Sequence, residues 1–400
     1  MANVYDVTTW TVPGNPSITA DSDIGAIINS IITDIKSRQT SSASKPGGVI
    51  YIPPGDYSLK TRVTIDISYL IIKGSGHGFT SQSIRFNSNT TGWYELNPGG
   101  SHIRVENTDG NAEAFLVSRG GDPRLSSVVF RDFCLDGVHF SPNENSYRNG
   151  KTGVRVATGN DSFLFEGMCF TYLEHGLVID QNDALSVTNN YFTENGSCLE
   201  LRTAGFASKI TNNLIGAGPT GYSIFAEGQF GLLISSNNIF PRGQSLIHLK
   251  NTTKSSVTSN RLHAFYPGMI TTEGLNKENL IGSNHFYRES ETYAPFQSVT
   301  NGRDDLFGMI FLIGDNNMVT GNLFDYFVDP TKVVPTGGLP TIILVKGGDN
   351  NRISDNHVVT NVSVHNVVLD GATTNTKILD SGDTASIQAL TSSYTLRPTP

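Results

Sequence analysis

This 400-residue chain has few cysteines, few charged residues and no long apolar run. The three cysteines, Cys134, Cys169 and Cys198, are too few for a disulfide framework, and each lies in a strand-like context. We therefore expect buried free thiols. The formal net charge is −8 and no basic run is present, which argues against a nucleic-acid partner. No apolar stretch is long enough to cross a membrane, so no membrane partner is expected.

Low charge is accompanied by abundant glycine. Charged residues make up 16% of the chain, and there are 41 glycines. This composition is typical of many short strands joined by tight corners. The first ten residues lack the basic and apolar regions of a signal peptide. We expect a cytoplasmic protein if Met1 is the native start, and a secreted one if a leader has been removed.

The most informative pattern is Val/Ile-x-x-Asn, which recurs seven times. Its asparagines are Asn190, Asn213, Asn237, Asn260, Asn284, Asn322 and Asn356. They lie 23, 24, 23 and 24 residues apart, then 38 and 34. An apolar residue follows two positions after nearly every one, which is the alternation of a strand. A fixed period of this length indicates stacked repeats. The pattern predicts an all-β fold, a single-stranded, right-handed parallel β-helix of the pectate-lyase-like kind, with asparagines stacked at one corner.

One helix is predicted near the N-terminus. Residues 22–36 carry an isoleucine stripe with helical spacing, and Ser22 and Asp23 are candidate N-cap residues. Such a helix can cover the open end of a β-helix, where the first coil exposes core and strand edges. The sequence therefore predicts an N-terminal segment, 1–45, that contains a capping helix.

The remaining residues are assigned to the β-helix and a tail. We expect the β-helix to run over 46–380, with inserted loops near 140–153, 289–305 and 326–338. The last two loops account for the longer intervals of 38 and 34 residues. The repeat fades beyond residue 380, so 381–400 is expected to form a C-terminal tail.

The densest acidic cluster of the regular coils contains Asp180, Asp183, Glu194 and Glu200. Paired carboxylates cleave glycosidic bonds: one protonates the leaving oxygen, and the other acts as base, nucleophile or charge stabiliser. Aspartates are also common in turns, so spacing alone leaves a purely structural role open.

The repeat length places two of these carboxylates relative to each other. Asp183 and Glu194 are 11 residues apart in coils of about 23, which is half a turn. On one chain they should face away from each other. Side-by-side assembly could bring Asp183 of one subunit opposite Glu194 of the next, and a cyclic trimer is a closed assembly of this kind.

No metal or organic cofactor is expected. The nine histidines are scattered without metal-ligand spacing, and no glycine-rich phosphate loop or nucleophile elbow is present. Two carboxylates suffice for glycosidic chemistry.

Six segments, spread from about residue 5 to 400, carry a family resemblance. They are Tyr5-Asp6-Val7-Thr8-Thr9-Trp10, Asp122-Pro123-Arg124-Leu125, Arg131-Asp132-Phe133-Cys134-Leu135-Asp136-Gly137, Pro241-Arg242-Gly243, Phe265-Tyr266-Pro267-Gly268-Met269 and Arg397-Pro398-Thr399-Pro400. These segments resemble the inulin fructotransferases, glycoside hydrolase family ninety-one. The resemblance implies a right-handed parallel β-helix that forms a homotrimer, with active sites between subunits.

The resemblance also implies roles for two residues. The family's catalytic aspartate precedes Ala-Leu and lies 11 residues before its catalytic glutamate, which matches Asp183 and Glu194. Glu194 would protonate the leaving oxygen of the terminal difructosyl unit of inulin, a β-2,1-fructan. Asp183 would stabilise the fructosyl cation or activate the attacking hydroxyl. The expected product is a difructose dianhydride, type III rather than type I. The candidate substrate-binding neighbours are Gln181, Asn182, Glu200 and Arg202.

Two alternatives stay open at this point. The same resemblance covers a hydrolase that opens difructose dianhydride III to linear difructose (inulobiose), with water as the attacking group. A non-catalytic carbohydrate-binding β-helix would also satisfy the repeat, although it would not require the acidic cluster.

Overall fold

The computed structural model describes most of the chain. The described residues are 4–39, 47–78, 100–107, 112–121, 124–137, 147–218, 221–240, 245–289, 303–329, 331, 338–379, 387–389 and 394–396. They fall into two compact units, one ending at Asn195 and the other beginning its main segment at Gly196.

The described residues of the first unit form short strands and one long helix. The helix is α1 (Ala20–Arg38). The strands are β1 (Val4–Asp6), β2 (Gly48–Tyr51), β3 (Gly55–Leu59), β4 (Val63–Ile65), β5 (Leu70–Lys73), β6 (Ser101–Val105), β7 (Glu113–Val117), β8 (Leu125–Ser126), β9 (Val129–Arg131), β10 (Phe133–Asp136), β11 (Thr152–Val156), β12 (Asn160–Asp161), β13 (Leu164–Glu166), β14 (Cys169–Thr171), β15 (His175–Asp180), β16 (Asn182–Asp183), β17 (Ser186–Thr188) and β18 (Tyr191–Asn195).

These strands form parallel ladders in which each strand pairs with its counterpart one coil away. The orders are β1-β2-β5-β9-β13-β17, β3-β6-β10-β14-β18, β4-β7-β11-β15 and β8-β12-β16. Inward residues stack on like residues: Phe170 pairs with Phe192 in register, and their rings lie 4.8 Å apart and nearly parallel. In a parallel ladder each inward side chain packs on the equivalent side chains of the coils before and after it. Every coil therefore extends one continuous apolar core.

The predicted helix is present, and it begins earlier than expected. Thr19 is the N-cap, and its side chain and that of Ser22 form a reciprocal capping box. Asp23 is non-helical (φ −164°, ψ 88°), and its Oδ1 accepts from the backbone N–H groups of Gly25 and Ala26. Asp23 thus caps the longer part of the helix, as its residue type predicts, and Ser22 supports the earlier cap at Thr19.

α1 covers the edge of the first coil. Asp23 Oδ1 also accepts from the N–H groups of Lys60 and Thr61, and Asn29 Oδ1 accepts from the N–H of Thr64. Gly25 allows this approach, because a Cβ there would lie 1.8 Å from the carbonyl oxygen of Thr61. The helix therefore supplies partners to backbone groups that a terminal coil would otherwise leave unpaired.

The second unit continues the same pattern. Its strands are β19 (Ser197–Arg202), β20 (Gly205–Phe206), β21 (Lys209–Thr211), β22 (Leu214–Ala217), β23 (Tyr222–Glu227), β24 (Gln229–Phe230), β25 (Leu233–Ser235), β26 (Asn238–Phe240), β27 (Ser245–Lys250), β28 (Ser256–Thr258), β29 (Arg261–Ala264), β30 (Ile270–Glu273), β31 (Leu280–Gly282), β32 (His285–Glu289), β33 (Ile310–Ile313), β34 (Met318–Thr320), β35 (Leu323–Phe327), β36 (Thr341–Asp349), β37 (Arg352–Ser354), β38 (His357–Thr360), β39 (His365–Leu369), β40 (Thr373–Thr374), β41 (Thr376–Leu379), β42 (Ile387–Ala389) and β43 (Tyr394–Leu396). One turn of 3-10 helix spans Asp305–Phe307.

The asparagine ladder is confirmed in this unit. Asn260 Nδ2 donates to Asn284 Oδ1 at 3.0 Å, and Asn260 Oδ1 accepts from both nitrogens of Asn237. The same side-chain bond joins Asn284 to Asn322 and Asn322 to Asn356. All five side chains are buried. The intervals of 38 and 34 residues between Asn284, Asn322 and Asn356 each correspond to one coil, so the additional residues do not interrupt the ladder.

The remaining fold predictions concern the three inserted loops and the C-terminal tail. Most residues of the three predicted loops lie outside the described ones. At their edges the predicted loops overlap strands: Thr152 and Gly153 belong to β11, Glu289 to β32, and Tyr326 and Phe327 to β35. Beyond residue 380, β42 pairs with β39 and β43 pairs with β41. Parallel pairing therefore extends into the segment expected to be a tail.

The three cysteines are buried free thiols, as expected. No helix among the described residues is long and apolar enough to cross a membrane. Stacked parallel coils capped by one helix confirm the predicted right-handed parallel β-helix.

Candidate active site

Asp183 ends the two-residue strand β16, at a corner of its coil. The residues on either side of the strand, Gln181 (φ 51°) and Ala184 (φ 49°), both have left-handed backbone conformations. The chain therefore turns sharply before and after β16. Asn182 is buried at 1% exposure, whereas the side chain of Asp183 is 34% exposed. Since neighbouring strand residues face opposite sides, the corner directs Asp183 outward.

Arg124 is the partner of Asp183. Its Nη1 donates to Asp183 Oδ2 at 3.1 Å, and it reaches the carboxylate from 59 positions earlier in the chain. Asp161 lies one coil before Asp183 in direct register. Adjacent parallel strands are about 4.8 Å apart, so these two carboxylates are near neighbours. The guanidinium of Arg124 offsets part of their mutual repulsion.

A cavity of about 320 Å³ lies beside this pair. It is lined by Gln39, Ile67, Ser68, Tyr69, Arg119, Arg124, Ser126 and Asp161. All eight residues belong to the first unit. Arg124 connects the cavity with Asp183, because Arg124 lines the cavity and donates a hydrogen bond to the Asp183 carboxylate.

Glu194 lies in β18, on another sheet of the same coil. It also has a left-handed conformation (φ 55°), and its side chain is half-buried. The phenolic oxygen of Tyr147 donates to Glu194 Oε2 at 2.6 Å. Tyr147 is 1% exposed, so this donor is held in place by packing. A short hydrogen bond to a carboxylate is among the stronger polar contacts in proteins.

The two candidate catalytic carboxylates lie on different sheets of one coil. Asp183 is in β16, Glu194 is in β18, and the whole of β17 lies between them. This arrangement agrees with the half-coil separation expected from the repeat. Each carboxylate has its own long-range partner within the first unit, Arg124 or Tyr147.

The four candidate binding residues differ in exposure. Gln181 is exposed at the corner before Asp183, whereas Asn182 is buried and pairs in register with Asn160. Asn182 thus belongs to a buried corner. Glu200 is 6% exposed and accepts from Nε and Nη2 of Arg202, at 3.0 and 2.5 Å. Arg202 is more exposed than its partner.

Three residues of this region were not assigned a role from the sequence: Arg124, Tyr147 and Asp161. Arg124 and Asp161 could have been found from two signals in the sequence. The dipeptide Asn160-Asp161 repeats as Asn182-Asp183 one coil later, and Arg124 belongs to a segment that carries the family resemblance. Tyr147 has no comparable signal, because it lies in an irregular stretch 47 residues from Glu194.

A buried charged group lies earlier on the sheet that carries Glu194. His102 in β6 contacts Asp56 through Nδ1 at 2.8 Å and Asp136 through Nε2 at 2.9 Å. Burial opposes the charged form of His102, but the hydrogen bonds to Asp136 and Asp56 outweigh burial and raise its pKa to about 10. The hydrogen bond from His102 likewise lowers the pKa of Asp56. The group is therefore an imidazolium held between two carboxylates.

The described residues were also compared with the requirements of a metal site. Among the described residues, no group of three or more His, Cys, Asp or Glu side chains is placed to hold a metal ion. The polar groups around Asp183 and Glu194 suit proton transfer and recognition of hydroxyl groups.

Family models match two parts of the chain. Residues 283–400 match the beta helix repeat of inulin fructotransferase, and residues 128–301 match the periplasmic copper-binding protein NosD.

Relatives cover the whole length. An inulin fructotransferase that forms DFA-I (difructose dianhydride I), from Arthrobacter globiformis, is 50% identical, with 100% of both chains covered. The solved structure of DFA-IIIase from Arthrobacter chlorophenolicus A6 in complex with GF2 is 50% identical, with a TM-score of 0.93, and covers 100% of this chain and 99% of that one. The same enzyme in complex with DFA-III is 48% identical, with a TM-score of 0.92, and again covers 100% of this chain and 99% of that one. On the strength of this full-length identity, the chain belongs to the inulin fructotransferase family.

Proposed function

We propose that Asp183 and Glu194 are the catalytic pair of an enzyme that acts on β-2,1-fructan and releases a difructose dianhydride. The observation that carries this proposal is the pair of outward carboxylates on one coil. Each is positioned by a partner distant in sequence, Arg124 or Tyr147. The relative from Arthrobacter globiformis, which is a fructotransferase, supports the reaction class.

The chemistry starts at the bond between the second and third fructose units. Glu194 donates its proton to the linking oxygen as the bond from that oxygen to C2 of the second fructose breaks. Asp183, beside the Arg124 guanidinium, faces the positive charge that develops on the sugar. A hydroxyl of the terminal fructose then forms a new bond to C2, and its proton passes to a carboxylate. Exclusion of water makes transfer, rather than hydrolysis, the outcome.

The site is proposed to form between subunits. Asp183 and Glu194 lie on different sheets of one coil, which supports a site whose opposite carboxylate comes from a second copy of the chain. A cyclic homotrimer provides three such interfaces. Light scattering should then give the mass of three 43.2-kDa chains.

Mixed trimers test this arrangement directly. Asp183→Asn and Glu194→Gln should each abolish activity, since each removes one half of every site. Random mixing of the two variants by co-refolding or co-expression should restore about one quarter of the sites. Every mixed trimer contains one interface with both native carboxylates. No recovery in confirmed mixed trimers would contradict a shared site.

Product analysis tests the reaction itself. The protein is incubated with inulin and, separately, with difructose dianhydride III, and products are separated by chromatography against type I and type III standards. A dianhydride released from inulin supports the transferase, and the standards test the expectation of type III. Unchanged product formation by Asp183→Asn would instead favour a non-catalytic binding role for this region.

A hydrolase is the second candidate. The solved relatives, at 48–50% identity, are DFA-IIIases. The same two carboxylates could admit water in place of the sugar hydroxyl. Linear difructose formed from the dianhydride, with inulin left intact, would establish this reaction and refute the transferase.

A further inference from the structure

We propose that the cavity beside Asp183 binds a fructosyl unit of the substrate and positions it for reaction. This inference rests on the proposed role of Asp183. It adds a binding site formed by side chains of the first unit alone, chiefly Tyr69, Arg119, Arg124 and Asp161.

The size of the cavity suits a small sugar. At about 320 Å³ it lies at the lower end of the range for small-molecule sites, which favours one or two rings over an extended chain. Arg124 lines the cavity and donates to Asp183 Oδ2 at 3.1 Å. A sugar hydrogen-bonded to Arg124 would therefore lie next to the carboxylate.

The charges of the lining favour a neutral ligand. Arg119 and Arg124 contribute two guanidinium groups, which alone would suit an anion such as phosphate. Asp161 also lines the cavity, and Asp183 is bound to Arg124, so two carboxylates balance the two cations. Donors and acceptors side by side are what a polyhydroxylated, uncharged molecule requires.

Tyr69 supplies an aromatic surface at this cavity. It is 51% exposed and has a left-handed backbone conformation (φ 60°), which is unusual for a bulky side chain. Two backbone bonds hold it there: its N–H donates to Ser126 O at 3.0 Å, and its carbonyl accepts from the N–H of Gly48 at 3.4 Å. The same conformation recurs at other corners of the coils, as at Gln181 and Ala184, and here it sets the direction of the ring. An aromatic ring beside polar groups can pack on the C–H face of a sugar.

The strain at Tyr69 makes a clean experiment possible. Glycine adopts positive φ readily, so Tyr69→Gly removes the ring without opposing the backbone. Binding of the trisaccharide 1-kestose, which consists of one glucose and two fructoses, is measured by calorimetry in a Glu194→Gln background, which prevents turnover and keeps the Arg124–Asp183 ion pair. We expect Tyr69→Gly and Arg119→Gln each to weaken binding by about tenfold. Phe327→Ala, which removes an aromatic side chain with 44% exposure in the second unit, is the matched control and should not change affinity.

The outcomes separate this inference from the proposed function. Affinities within twofold of the parent for both variants would refute the cavity as a sugar site, even if Asp183→Asn is inactive. Competition by inorganic phosphate at similar concentration would refute the neutral ligand. An Asp183→Asn protein with full activity would refute the catalytic role on which the inference rests.

Discussion

Replacing Tyr147 with phenylalanine removes a single hydroxyl group from the site. That hydroxyl donates to Glu194 Oε2 at 2.6 Å, and the ring that carries it is buried. Phenylalanine preserves the ring and its packing. If Glu194 is the general acid, negative charge develops on its carboxylate as the proton leaves, and the bond from Tyr147 strengthens at that moment.

The expected magnitude follows from the charge of the acceptor. A hydrogen bond to a charged group is worth about 1.5–3 kcal/mol. Each 1.36 kcal/mol of barrier corresponds to about a tenfold change in rate, so kcat should fall by about 10- to 100-fold. KM should stay nearly constant, because a buried phenol makes no contact with the substrate.

Steady-state kinetics on inulin, with dianhydride measured by chromatography, would test this expectation. Tyr57→Phe is the matched control, since Tyr57 is equally buried and its hydroxyl donates to the carbonyl of Pro53 at 3.0 Å. Both variants lose one hydrogen bond, but only one of these bonds involves Glu194. A fall in kcat of less than about twofold for Tyr147→Phe, or an equal fall for Tyr57→Phe, would refute the positioning role.

Two further predictions concern stability, both measured by urea unfolding. Asn260→Ala should lower the free energy of unfolding by about 3 kcal/mol, because it leaves buried ladder partners unsatisfied. The control Asn238→Ala, at an exposed position, should change the free energy of unfolding by less than about 0.5 kcal/mol. Equal effects of the two substitutions would contradict a stabilising role for the ladder. His102 has a pKa of about 10 when folded and an ordinary value of 6.5, so its ionic contacts with Asp56 and Asp136 stabilise the fold fully below pH 6.5. That contribution, on the order of 5 kcal/mol, should disappear as pH rises from 6.5 to 10, and His102→Asn should lose this dependence. A wild-type curve that is flat over this window would refute the assignment.

The repeat carried most of the fold prediction. In a parallel β-helix each residue contacts its equivalent one coil away, so the main long-range contacts recur at a nearly constant sequence interval. The asparagines of the ladder could thus be assigned to one corner from their spacing alone. The capping helix was equally local, since its isoleucine stripe and the cap at Asp23 lie within one segment.

The candidate catalytic pair could be predicted only in part from the repeat. The repeat length placed Asp183 and Glu194 on different sides of a coil, and the family resemblance suggested their roles. Arg124 and Tyr147 reach these carboxylates across 59 and 47 residues. The interval of 59 is not a multiple of the repeat. Tyr147 is two repeats from Glu194, but it lies outside the ladder strands, so the repeat pattern does not mark it.

By itself, the sequence determined the architecture: the period of the coils, the asparagine corner, the capping helix and the half-coil separation of the two carboxylates. The tertiary structure alone decided which groups surround them, namely the guanidinium beside Asp183, the phenol on Glu194 and the cavity next to Arg124. The physical reason is a difference in the origin of the contacts. Ladder contacts repeat with the backbone period, whereas site contacts are made by irregular segments that the coils happen to bring together, and their partners are visible only once the chain is folded.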